Sequence, residues 1–96
     1  FIVSYLKDYV GMNISIDNIL LTSGSLQALD LINELILNKG DTVLVEEATY
    51  GGAISRIESM KVNHVGVKLD NEGIVIENLV EILEKLKSQN IFPKFL

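Results

Sequence analysis

Ninety-six residues, 48% of them hydrophobic and carrying a formal net charge of −5, bound at most one small domain, able to bury about two-thirds of the surface its unfolded chain exposes. The acidic balance, with a pI near 4.7, argues against nucleic acid or an anionic membrane as partner. The absence of cysteine excludes a disulfide framework and a thiolate metal site, and no run approaches the roughly eighteen apolar residues that span a bilayer.

No signal peptide is visible, so a cytoplasmic setting is the expectation. A mean hydropathy of +0.32 is rich for a lone small domain, which predicts apolar surface offered to neighbours. Phe1 at the start and "PKFL" at residues 93–96 read as cut ends, so the chain is expected to be an internal piece of a larger protein.

In chain order, "FIVSYLKDYVG" sets Ile2, Leu6, Tyr9 and Val10 at helical spacing, with Gly11 suited to a helix end. "MNISIDN" is a polar connector. Residues 19–22 form a short apolar run that predicts a strand. From Ser25, the residues Ala28, Leu29, Ile32, Leu35 and Ile36 make one wide apolar helix face. Gly40 in "NKGD" can end that helix in left-handed backbone. Residues 42–45 are a β-branched run read as a buried strand. A second helix follows in "ATYGGAISRIESM" and a third strand in "HVGVKL". "DNEG" makes a turn. "IENLVEILEKLKSQN" is the clearest helix, with Leu79, Ile82, Leu83 and Leu86 as its stripe and Glu81 placed to pair with Lys85. "FPKFL" would be a fourth strand.

Alternating strands and helices imply an α/β fold with a mainly parallel sheet and right-handed crossovers. Continuous apolar strands predict helices on both sheet faces. Ligands of such sheets bind beyond the carboxyl ends of the strands, which singles out residues 23–25, 46–52 and 70–73.

"TSGS" at residues 22–25 stands where a strand becomes a helix. Free N–H groups and the helix dipole there can receive a phosphate, with Gly24 allowing close approach and Ser23 or Ser25 adding a hydroxyl. The plainer alternative is a cap, in which Ser25 bonds the N–H of residue 27 or 28. Tyr50 falls at the next strand-to-helix turn, followed by Gly51 and Gly52. Alone it is a partly buried tyrosine. With a phosphate cradle at the same sheet edge it suggests a phosphorylated ring compound stacked on the tyrosine. His64 has no Cys or second His nearby and reads as a surface or rim residue. Glu46 and Glu47 are strand neighbours that point to opposite faces.

"NILLTSGSLQALDLI", "LNKGDTVLVEEATYGGA" and "VGVKLDNEGI", in this order and spacing, resemble the large domain of fold-type I pyridoxal-phosphate enzymes of the class I/II aminotransferase group. The resemblance covers essentially the whole chain, so residues 1–96 are expected to be part of the cofactor-binding large domain. It is nearest in character to 2-aminoadipate and kynurenine aminotransferases and to the aminotransferase-like domain of MocR-type regulators.

The resemblance implies that Gly24, Ser25 and the backbone N–H of Leu26 bind the phosphate of pyridoxal phosphate, and that Tyr50 stacks on its pyridine ring. Leu26 stands where the family often has Gln, leaving only a backbone contact, and Ala48 stands where it usually has Pro. The cofactor's lysine lies far downstream in the family, and none of Lys7, Lys39, Lys61, Lys68, Lys85, Lys87 or Lys94 sits in a comparable small-residue setting. The chain by itself is therefore expected to be catalytically incompetent, with no catalytic residue and no metal site. Its parent would move an amino group between an amino acid and a 2-oxo acid, as a homodimer. Alternatives are the effector domain of a MocR-type transcription regulator and a lyase or decarboxylase of the same fold.

Overall fold

The computed structural model describes residues 1–96. Helix α1 (Ile2–Val10) ends at Gly11, whose left-handed backbone has φ 74°. The Met12 N–H closes that end onto the Leu6 carbonyl at 3.0 Å, as glycine terminations do. Phe1, Tyr5 and Tyr9 stack along one side of α1 with ring centroids 6.5 and 5.1 Å apart. No residue of this helix is buried. A 3₁₀ turn (Ile16–Asn18) follows, closed by hydrogen bonds from the Ser15 N–H and hydroxyl to Asn18 Oδ1.

The central unit is α2 (Ser25–Ile36), β1 (Thr42–Glu46), α3 (Gly51–Ser59) and β2 (Asn63–Val67). β1 and β2 pair in parallel, with Thr42 opposite Asn63 and Glu46 opposite Val67. A small antiparallel hairpin, β3 (Leu69–Asp70) and β4 (Gly73–Ile74), leads into α4 (Ile76–Ser88). Alternation along β1 divides the core in two. Val43 packs with Leu37, Ile57 and Val62 beneath α3. Leu44 packs with Val67 and Leu86 beneath α4. Helices thus cover both faces of β1, which is why its Val43, Leu44 and Val45 read as one apolar run, while Asn63, His64 and Gly66 of β2 are exposed.

Three expectations need correcting. Residues 19–22 do not form a strand: Leu20, Leu21 and Thr22 make no backbone hydrogen bond to another segment, and Leu20 and Leu21 are 74% and 76% exposed. A strand exists through its ladder, and this run has none. The expected fourth strand is only begun. Thr42 accepts from the Lys94 N–H at 2.8 Å and Leu44 donates to the Phe95 carbonyl at 2.9 Å, so residues 94–95 run beside β1 opposite β2. Glu81 and Lys85 form no ion pair; the ion pairs join Arg56 to Asp30 and Lys94 to Asp41.

The apolar surplus lies on the surface. Only 9 of 96 residues are buried, and 7294 Å² of surface is accessible, where a compact domain of this mass exposes about 5,500 Å². The excess of about 1,800 Å² is roughly twice the ~800 Å² that one partner buries in a standard protein–protein interface. The radius of gyration, 16.6 Å, likewise exceeds the ~12.5 Å of a compact chain of this length.

Candidate functional site

The turn before α2 is built by Gly24, at φ 89° and ψ 170°, a conformation that only glycine adopts without strain. A Cβ there would meet nothing within 4 Å. Gly24 is therefore required for backbone shape rather than for room. No side chain caps α2, and Ser25 lies inside the helix with its hydroxyl unengaged. The cap alternative, Ser25 bonding residue 27 or 28, does not form. Instead the Gln27 amide oxygen folds back to accept the Ser23 N–H at 2.5 Å, a variant of the capping box.

The first N–H bonded back into the turn is that of Ala28, to Gly24 at 3.4 Å. The N–H groups of Ser25, Leu26 and Gln27 thus have no partner in the chain, and the first turn of α2 carries no acidic residue. Unpaired donors and the positive end of the helix dipole meet at this turn, beside a serine whose hydroxyl is free, and the helix's own first turn adds no repelling charge. A phosphate fits this arrangement.

Tyr50 precedes α3 with extended backbone, φ −65° and ψ 124°, and is 68% exposed. Its ring folds over the start of its own helix: a Cβ on Gly52 would stand only 2.4 Å from Tyr50 Cε1. An accessible ring face is what stacking on a flat ligand requires.

Two contacts place these features together. Arg56 donates to Asp30 Oδ2 at 2.6 Å, joining α3 to α2. Just past the ends of the same helices, the Gly40 N–H bonds the Lys61 carbonyl at 2.9 Å. Both contacts run in the same chain order, so the two helices lie side by side and parallel. Asp30 and Arg56 each stand five residues past the start of their helix, a rise of about 7.5 Å. The two helix starts, bearing Gly24 and Tyr50, therefore share one end of the packed pair. That end is the carboxyl end of β1, where open α/β sheets bind ligands. The Asp70–Gly73 turn follows β2 at the same sheet edge, with the Glu72 N–H held by Asp70 Oδ1 at 2.8 Å.

His64 is exposed on β2, as expected of a rim residue. Arg56 is committed to Asp30 rather than open to a substrate. Gln27, Gly52 and the Asp30–Arg56 pair were not among the site residues read from the sequence. Gln27 three residues into the helix was a readable capping signal; the Asp30–Arg56 pair depends on tertiary placement, and Gly52 on the local fold of the Tyr50 ring. Among groups of His, Asp and Glu, none is arranged to hold a metal ion, and no helix is long and apolar enough to cross a membrane.

A family model for class I and II aminotransferases matches residues 2–96. The chain is 34% identical over 88 residues to aromatic-amino-acid aminotransferase 1 of Thermococcus litoralis, covering 92% of this chain and 21% of that protein. It is 38% identical over 76 residues to YdfD of Bacillus subtilis, an uncharacterised HTH-type transcriptional regulator, covering 79% of this chain and 16% of the regulator. Among solved structures, Pyrococcus horikoshii kynurenine aminotransferase in complex with PMP superposes with a TM-score of 0.79 at 41% identity, over 96% of this chain and 22% of that one. The chain thus spans about a fifth of the length of the proteins it matches.

Proposed function

The chain belongs to the class I and II aminotransferase family, and from that membership we propose that the protein containing it transfers an amino group between an amino acid and a 2-oxo acid, with pyridoxal phosphate as cofactor. In this reading residues 1–96 are part of the cofactor-binding large domain. The bound cofactor supplies the electron sink for the transfer. This chain's contribution is to bind and orient it. The N–H groups of Ser25 and Leu26 and the Ser25 hydroxyl donate to the phosphate, Gly24 shapes the turn, and the Tyr50 ring sets the plane of the pyridine.

The observation that carries the reading is the shared end of α2 and α3. There a turn with three unpartnered N–H groups stands beside an exposed tyrosine ring. The ~1,800 Å² of surplus surface supports the further proposal that other segments of the same protein and a second subunit cover this one.

A second reading, a cofactor-binding effector domain of a transcription regulator, is favoured by the identity to the Bacillus regulator. The test is to supply the full-length protein with pyridoxal phosphate, an amino acid donor and a 2-oxo acid acceptor, and to follow the new amino acid. Turnover supports the transferase. Cofactor binding without turnover, together with sequence-specific DNA binding, supports the regulator. No cofactor binding rejects both.

A further inference from the structure

Two glycines follow Tyr50, and the structure gives them different surroundings. A Cβ built on Gly51 meets nothing within 4 Å. One built on Gly52 stands 2.4 Å from Tyr50 Cε1, 3.0 Å from Cζ and 3.2 Å from Cδ1. All three atoms belong to a single exposed ring. The three nearest atoms are all side-chain atoms of that ring, so the clash would be relieved by turning the ring about its χ angles. Gly52 does not have positive φ, so backbone freedom is not what it supplies. It lies in the first turn of α3, where alanine is the better helix former. The helix thus carries a glycine that disfavours it, at the one position where a methyl group would displace the Tyr50 ring.

We propose that Gly52 is a positioning residue for Tyr50. By lacking a side chain it lets the ring fold against the start of α3, and so fixes the plane on which the cofactor's pyridine stacks. This rests on the stacking role assigned to Tyr50 above. A purely structural glycine predicts loss of stability on substitution. A positioning glycine predicts the opposite sign for stability and a loss for cofactor binding.

The test uses the full-length protein titrated with pyridoxal phosphate. The variants are Gly52→Ala, Gly51→Ala, Tyr50→Ala and the double variant Gly52→Ala/Tyr50→Ala. Gly52→Ala should leave the apo melting temperature equal or higher. It should raise the cofactor Kd about fivefold, the loss expected for stacking, and alter the visible circular dichroism of the bound cofactor. Gly51→Ala should change neither Kd nor the dichroism. In the Tyr50→Ala background, Gly52→Ala should add nothing, because the ring it displaces is gone. If Tyr50→Ala weakens binding but Gly52→Ala does not, or if the two losses add, the proposal is overturned while stacking on Tyr50 stands. A fall in apo melting temperature for Gly52→Ala would make the glycine structural and overturn it too. An unchanged Kd for Tyr50→Ala would overturn the stacking role and this proposal together.

Discussion

Replacing Ser25 with alanine separates a phosphate cradle from an ordinary helix start. The Ser25 hydroxyl makes no hydrogen bond, no side chain caps α2, and the residue is exposed. Truncating it removes nothing from the folded chain, and alanine is the better helix former by up to about 0.5 kcal/mol. The apo protein should melt at the same temperature or slightly higher. A hydroxyl donating to a phosphate is a hydrogen bond to a charged group, worth about 1.5–3 kcal/mol. The cofactor Kd of Ser25→Ala should therefore rise about ten- to one-hundred-fold. The assay is a melting curve of the apo full-length protein paired with a fluorescence titration by pyridoxal phosphate. A capping serine would behave in the reverse way, losing about 1 kcal/mol of stability with cofactor affinity intact. That outcome would refute the assignment of the turn.

Three further substitutions read other parts of the account. Gly24→Val places a β-branched residue at φ 89° and should cost about 1–3 kcal/mol of stability, with a weakened cofactor complex; an unchanged melting temperature would mean that the turn is not held as described. Asp30→Asn breaks an ion pair whose side chains are 40% and 33% exposed, so the stability loss should stay below about 1 kcal/mol and shrink in 1 M salt; a larger, salt-independent loss would contradict that. Asn33 is fully buried with neither amide atom partnered, so Asn33→Leu, which keeps the same branched heavy-atom skeleton, should stabilise by about 1–3 kcal/mol; destabilisation in a thermal melt would reveal a polar partner from elsewhere in the protein.

What the sequence made legible was local. β1 announced itself as an apolar run, and α2 and α4 by their spaced leucines and isoleucines, although in α2 that face stays open, with Ile32, Leu35 and Ile36 49%, 87% and 44% exposed. The turn at Gly24 was readable because helix-start chemistry is confined to a few consecutive residues. Residues 19–22 carried the same apolar signal as β1, yet a ladder needs a partner that periodicity cannot name. Residues 94–95 found part of one beside β1. The brief β3–β4 hairpin read only as a turn, since two residues a side are too short to show alternation. Asn33 was hidden in the apolar face of α2. Tyr50 was found from its place in the chain, but the parallel setting of α2 and α3 rests on Asp30, Arg56, Gly40 and Lys61, residues 21 to 26 apart in sequence. No local pattern encodes that pairing.

In the proposed function, the turn at Gly24–Ser25–Leu26 and the ring of Tyr50 together hold the cofactor. A crystal structure of the full-length protein with pyridoxal phosphate tests it most directly. The phosphate oxygens should lie about 2.7–3.2 Å from the N–H nitrogens of Ser25 and Leu26, with the Tyr50 ring lying against the pyridine face. A phosphate bound elsewhere, or a pyridine ring with no contact to Tyr50, would contradict it.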